Sequence, residues 1–273
     1  MFEYIYYKVL KRPHKLKVHS IKRKQGAPLV VFLHGIGNSG AVWSKEIKNL
    51  PKNVQYVTLD LLGFGSSRKP NYVDYDLKTH ARAVVGTLKS LHFNTNKVIL
   101  VGHSLGSLIA VDVAKRYPQK INNLILCSPP FYVESSDSKL PSSDDILKNI
   151  YEFARENPKD FMEVANRAKK YHIVTKDFVL NKNNVNAYMA TLKHSIINQS
   201  SLRDAINLPQ SIKINVIRGI LDPLVLQKNI KILKRLRPST AVDVVMSSHD
   251  ITNNYIKAIQ KDLSQILQNV DAK

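Results

Sequence analysis

Two hydrophobic periodicities divide this chain. Leu29-Val30-Val31-Phe32-Leu33 is apolar throughout, and Lys97-Val98-Ile99-Leu100-Val101 is nearly so. Unbroken apolar runs of this length predict strands covered on both faces, as in a parallel sheet. Val54 to Leu59, Ile121 to Ser128, Ile212 to Arg218 and Ala241 to Met246 read as further strands. Lys15-Leu16-Lys17-Val18-His19-Ser20-Ile21 instead alternates polar and apolar, the pattern of a half-exposed antiparallel strand. With residues 4–10 it predicts an N-terminal hairpin turning at Arg12-Pro13-His14. Between the strands, helical spacing runs from Asp74 to Phe93, Leu105 to Tyr117, Leu226 to Leu236 and Asp250 to Leu267, with a short helix around Trp43. Asp74 or Asp76 is placed to cap the first of these.

After Phe131 the rhythm changes. Residues 131–210 contain no convincing buried strand, and helices are expected at Ser143 to Glu156, Pro158 to Tyr171 and Asn184 to Ile197. On the first of these, Ile146, Leu147, Ile150, Tyr151 and Phe153 form the apolar side. Strands alternating with helices imply a mostly parallel central sheet flanked by helices. The expected division is therefore a core of residues 1–130 and 211–273 and an inserted helical cap at 131–210.

Glycine sharpens this picture. The chain has only 10 glycines in 273 residues. Eight fall in four loops at the carboxyl ends of expected strands: Gly35, Gly37 and Gly40; Gly63 and Gly65; Gly102 and Gly106; and Gly219. Ligand chemistry in such sheets collects at those ends.

Charge adds less. The formal net charge is +20, carried by the expected core. Residues 131–210 hold 11 Lys+Arg against 10 Asp+Glu, while residues 1–130 hold 20 against 6. A basic N-terminal run includes Lys15, Lys17, Lys22, Arg23 and Lys24. Lysines on a solvated hairpin edge, where they block edge-to-edge pairing, account for it. No nucleic-acid platform accompanies the charge, which leaves at most a weak contact of the hairpin with an anionic surface. The single cysteine, Cys127, excludes an internal disulfide and fits a reducing compartment. No run is apolar enough to span a bilayer, and residues 1–10 lack the order of a signal peptide, so a cytoplasmic protein is expected.

The chemistry centres on Gly102-His103-Ser104-Leu105-Gly106, between an expected strand and an expected helix. A serine at the tip of such a turn sits on unfavourable backbone with its hydroxyl clear of the sheet, and its flanking glycines remove the clashing side chains. The hydroxyl needs a base, and the base an orienting acid. His249, after the last expected strand, can reach across the carboxyl ends. His103 should point away from the serine, and His34 is better placed to fix the loop behind it. Asp222, in Gly219-Ile220-Leu221-Asp222-Pro223, stands past another strand and could also cap a helix. Asp243 lies inside a strand, and Asp250 adjoins His249 and is expected to cap the last helix. Two backbone amides, of Leu105 and of Ile36, are placed to form an oxyanion hole.

Together these residues resemble the α/β-hydrolase fold. The elbow at Gly102–Gly106, the oxyanion loop His34-Gly35-Ile36, the loop Asp60…Gly63-Phe64-Gly65-Ser66-Ser67, and the chain order Ser104, Asp222, His249 carry the resemblance. The insertion resembles the helical cap many members place over the pocket. Ser248 precedes His249 where the family often has glycine. A serine nucleophile argues against the dehalogenase and epoxide-hydrolase branches, which need a carboxylate. The resemblance implies an acyl-enzyme hydrolase with Ser104, His249 and Asp222 as a triad, no cofactor and no metal. Its substrate would be a small to medium, largely uncharged carboxylic ester, with Phe131 and Tyr132 against the pocket. Carbon–carbon hydrolase, lactonase, thioesterase and cofactor-free perhydrolase chemistry would use the same residues. A ligand-binding receptor or inert scaffold is the alternative of another class.

Overall fold

A computed structural model describes residues 4–10, 12–93, 95, 97–132, 143–170 and 177–271. Seven strands form one sheet: β1 (Lys17–Lys22), β2 (Leu29–Leu33), β3 (Gln55–Asp60), β4 (Val98–His103), β5 (Ile121–Cys127), β6 (Lys213–Gly219) and β7 (Ala241–Val245). Their order is β1-β3-β2-β4-β5-β6-β7. Only β1 is antiparallel, running against β3 with Lys17 opposite Asp60. The winding reverses between β2 and β4, so a crevice opens there at the carboxyl ends, where open α/β sheets bind ligands.

Side chains alternate between faces along each strand, which explains why these strands are apolar throughout. Leu29, Val31, Leu33 and Leu100 belong to one core, and Val30, Phe32, Ile99 and Val101 to the other. The first core is covered by α2 (Leu77–Ser90), α3 (Leu105–Arg116) and α8 (Gln227–Leu236). The second is covered by α1 (Ser44–Lys48) with Trp43 and by α9 (Asn253–Asp271), through Tyr255, Ile259 and Leu263. Asp76 caps α2 by accepting from the Thr79 amide at 2.8 Å.

Between β5 and β6 lie α4 (Ser143–Glu156), α5 (Pro158–Lys170), α6 (Val185–Thr191, continued as a wider turn over Leu192–Ile197) and α7 (Ser201–Asn207). A third apolar cluster, Ala154, Phe161, Phe178 and Leu180, belongs to this segment. Phe153, expected on the apolar side of α4, is instead exposed. The segment re-enters the sheet under Arg237, whose fully buried guanidinium donates to the carbonyls of Ile206, Leu208, Pro209 and Ile212. These carbonyls follow a helix end, where backbone acceptors lose their intrahelical donors.

Three expectations change. The N-terminal hairpin does not form, because β1 finds its partner in β3 and leaves the preceding residues without a strand to pair with. Residues Ile5–Val9 coil into a helix instead, with the Tyr7 ring stacked on His14 at 4.1 Å and Tyr4 edge-on to Tyr72 at 5.5 Å. Tertiary contacts override the strand preference of tyrosine and valine. Helix α7 has no clear signature in the hydrophobic pattern. Neither Asp222 nor Asp250 caps a helix, since α8 starts only at Gln227 and α9 at Asn253. Among the described residues no helix is long and apolar enough to cross a membrane.

Candidate active site

Strand β4 carries Ser104 to the crevice. Its φ of 52° and ψ of −118° place a non-glycine residue where few L-residues sit, and the neighbours show why the strain persists. A Cβ on Gly102 would run into the Gly106 carbonyl, and one on Gly106 into the Leu33 carbonyl. Only two glycines let strand and helix cross this closely. The Ser104 amide donates to the Cys127 carbonyl at 2.9 Å, tying the turn to β5. The Ser107 hydroxyl donates back to the Gly102 carbonyl at 2.8 Å.

Asp222 and His249 meet at the far side of β5. His249 Nδ1 lies 2.8 Å from Asp222 Oδ2, across the loops that follow β6 and β7. The Asp222 side chain is wholly buried, while 18% of the His249 side chain is exposed. The carboxylate is shielded from water while the ring keeps an edge open to solvent. Burial works against the Asp222 charge. Hydrogen bonds from His249, Ser128 and the Leu224 amide outweigh it and hold the carboxyl below its usual range. Asp243 pairs instead with Lys261 at 3.1 Å, and Asp250 is pushed up to about 6 by burial.

Ser128 has no mark in the sequence. It follows β5 with φ of 48°, is fully buried, and lies 2.5 Å from the Tyr255 hydroxyl. The directions of these bonds are forced. An ionised carboxylate only accepts, so Ser128 donates to Asp222 and must accept from Tyr255. A one-way chain of donors therefore runs from Tyr255 through Ser128 to Asp222. No local pattern around Ser128 or Tyr255 reveals it, because the two residues are 127 positions apart.

His103 also acquires a position that sequence did not suggest. Burial lowers its pKa to about 3, so the ring is neutral, and its Nε2 lies 2.7 Å from the His249 carbonyl. The carbonyl only accepts, so His103 carries its proton on Nε2 and donates. The two rings are 5.1 Å apart. His103, beside Ser104, thus grips the loop that carries His249. His34 fixes the other wall, as expected: Nδ1 donates to the Gly35 carbonyl at 2.7 Å and Nε2 accepts from the Leu61 amide at 2.9 Å. Burial lowers the His34 pKa to about 4, which keeps that single tautomer.

The Ile36 and Leu105 amides flank the elbow, one in the loop after β2 and the other in the first turn of α3. The loop of Ile36 is braced from the 131–210 segment. The Val179 amide donates to the Gly37 carbonyl at 2.7 Å, and the Phe178 ring leaves no room for a Cβ on Gly37. Asn184 holds this brace, donating to the Val179 carbonyl at 2.7 Å and accepting from the Asn181 amide at 2.8 Å. Phe131 and Tyr132, expected against the pocket, are packed into the main core. The Tyr132 hydroxyl donates to the Leu224 carbonyl at 3.0 Å, two residues after Asp222. Among the described residues no group of three His, Cys, Asp or Glu side chains is gathered to hold a metal ion.

A strained serine and an imidazole bound to a buried carboxylate thus both lie at the carboxyl ends of the sheet's strands. Comparison with known proteins agrees on the fold. A family model described as the alpha/beta hydrolase fold matches residues 28–173. The probable lysophospholipase BODYGUARD 2 of Arabidopsis thaliana is 33% identical over 114 residues, covering 40% of this chain and 24% of that protein. The 1-acylglycerol-3-phosphate O-acyltransferase ABHD5 of Homo sapiens is 34% identical over 121 residues, covering 44% of this chain and 34% of that protein. The matches thus span only about a quarter to a third of these relatives. The crystal structure of the enol-lactonase from Burkholderia xenovorans superposes with a TM-score of 0.69 at 18% identity, over 94% of this chain and 96% of that one. With more than half of its length matched by the family model, the chain belongs to the alpha/beta hydrolase fold family.

Proposed function

We propose that this protein is a serine hydrolase that cleaves a small to medium, largely uncharged carboxylic ester through an acyl-enzyme. The observation that carries the reading is the 2.8 Å bond between His249 Nδ1 and Asp222 Oδ2 on the same sheet edge as the strained Ser104. Because Nδ1–H is directed at the carboxylate, Nε2 is the free basic nitrogen. It takes the Ser104 proton as Oγ attacks the ester carbonyl carbon. The oxygen that becomes negative is held by the Ile36 and Leu105 amides. As the tetrahedral intermediate collapses, the C–O bond to the alcohol breaks and His249 returns the proton to the leaving oxygen. Water, deprotonated by the same nitrogen, then releases the acid and restores Ser104. Residues 131–210 act as a cap over a core of residues 1–130 and 211–273, and they brace the oxyanion loop through Val179.

A fluorophosphonate tests this. The expected result is one phosphonyl adduct on Ser104 in the folded protein, absent in Ser104→Ala and strongly slowed in His249→Ala. No adduct on the folded wild type would make the chain an inert scaffold or a binding protein.

A further inference from the structure

Of the fourteen large apolar side chains exposed among the described residues, eight gather in two tips at the carboxyl end of the sheet. The first is the N-terminal helix and the residue after it, where Tyr4, Ile5, Tyr6, Val9 and Leu10 are 38–59% exposed. Strand β1 begins opposite Asp60, the last residue of β3, so the chain before it emerges at the carboxyl end of the sheet. The ring contact of Tyr4 with Tyr72, and the Arg68 guanidinium over Tyr7 at 5.8 Å, hold the helix on the loop that leaves that end. The second tip lies at the opposite edge. Ile220 and Leu221, after β6, are 53% and 67% exposed, and Met246, after β7, is 68% exposed. The Ile220 and Leu221 amides donate to the Val245 and Ser247 carbonyls at 2.9 and 3.0 Å, so these side chains share one rigid rim. That rim flanks Asp222 and His249. Both tips lie on the side where the candidate site opens.

Charge selects the occupant. Arg12, Lys15, Lys17 and Arg68 are exposed around the first tip. Among the described residues of the same segments the acids are Asp60, which is buried, Asp76, which caps α2, and Asp74. The whole chain carries +20. A nucleic acid would satisfy the bases but leave the aliphatic side chains in water. A neutral apolar partner would strand the bases. An interface of anionic headgroups over hydrocarbon satisfies both, with tyrosines at the boundary.

We propose that the carboxyl-end face of the sheet docks on an anionic phospholipid surface through these two tips, and that the ester is drawn from that surface. The second half rests on the hydrolase reading above; the first does not. The test uses the full chain as Ser104→Ala, sedimented with vesicles of phosphatidylcholine alone or with about one-third phosphatidylserine. Binding to the mixed vesicles is expected, at least about tenfold stronger than to phosphatidylcholine. Leu10→Glu and Leu221→Glu, both at exposed positions, should each weaken it about tenfold with an unchanged melting temperature. Arg12→Gln and Lys15→Gln should weaken it about fivefold each. No sedimentation with the mixed vesicles overturns the proposal. So does binding that salt abolishes and the two glutamates leave unchanged, because that is adsorption by charge alone. Turnover of 4-nitrophenyl octanoate carried in the same vesicles should fall in step with binding; equal turnover by Leu10→Glu overturns entry from the surface. Fluorophosphonate labelling of the wild type without vesicles separates the two readings. A labelled protein that ignores vesicles keeps the hydrolase and loses the docking face, and the reverse result keeps only the docking face.

Discussion

Replacing Ser128 by alanine should slow the reaction at a nucleophile it never touches. Asp222 accepts from His249, the Leu224 amide and Ser128, and is wholly buried. A hydrogen bond to a charged group is worth about 1.5–3 kcal/mol. If it is expressed when His249 becomes imidazolium, its loss lowers the rate about tenfold to a hundredfold. The assay is the second-order rate of phosphonylation of Ser104, which reads nucleophile, base and acid together and needs no known substrate. Ser128 has a φ of 48°, which alanine inherits with the Cβ and glycine relieves. Ser128→Ala therefore isolates the hydroxyl, and Ser128→Gly should be as slow, because the hydroxyl and not the backbone carries the effect. Tyr255→Phe leaves the Ser128–Asp222 bond in place and should cost less than tenfold. The pH dependence of stability has a sign. The folded Asp222 pKa lies below its unfolded value, so its stabilisation is present above the unfolded value and is lost as pH falls through the folded one. Ser128→Ala should remove part of that stabilisation at neutral pH and little of it in acid. Phosphonylation of both Ser128 variants within twofold of wild type would refute the chain of donors as a support of the acid.

Asn184→Ala should slow phosphonylation about tenfold, because it frees the 179–181 brace from the Gly37 carbonyl and loosens one oxyanion donor; an unchanged rate means the oxyanion loop supports itself. Glu46 is buried with neither carboxyl oxygen partnered among the described residues, and desolvation raises its pKa from 4.5 to about 8. Protons therefore bind the folded state more tightly, and stability should fall by on the order of 3 kcal/mol between about pH 5 and pH 8. Urea midpoints across that range should lose this slope in Glu46→Gln; parallel curves for wild type and variant would contradict it.

Much of this molecule was legible along the chain because its determinants are local. A strand buried on both faces must be apolar at every position, so Leu29 to Leu33 and Val98 to Val101 declare themselves. The elbow is a backbone problem solved within five residues, and Gly102 and Gly106 mark it whatever surrounds them. Asp222 and His249 could be nominated because both follow strands whose carboxyl ends must face one way. Asp222 could be preferred over Asp243, which lies inside an expected strand, and over Asp250, which adjoins His249; the fold adds the 2.8 Å contact between Asp222 and His249.

Where the local pattern was short or two-fold ambiguous, the fold decided. The tyrosine-rich residues 4–10 have strand-like composition, but β3 already held β1, and helical turns against Tyr72 and His14 were what remained. Arg237 reads as one more basic residue near a helix end, and only the convergence of four carbonyls from 25 to 31 positions away makes it a buried staple. Ser128 meets Tyr255 and His103 meets His249 through contacts spanning 127 and 146 positions. By itself, the sequence determined where backbone strain and burial must fall, because those are properties of neighbouring residues. Only the tertiary structure decided which polar groups meet, because a hydrogen bond depends on ångström distances between segments that the chain order leaves unrelated.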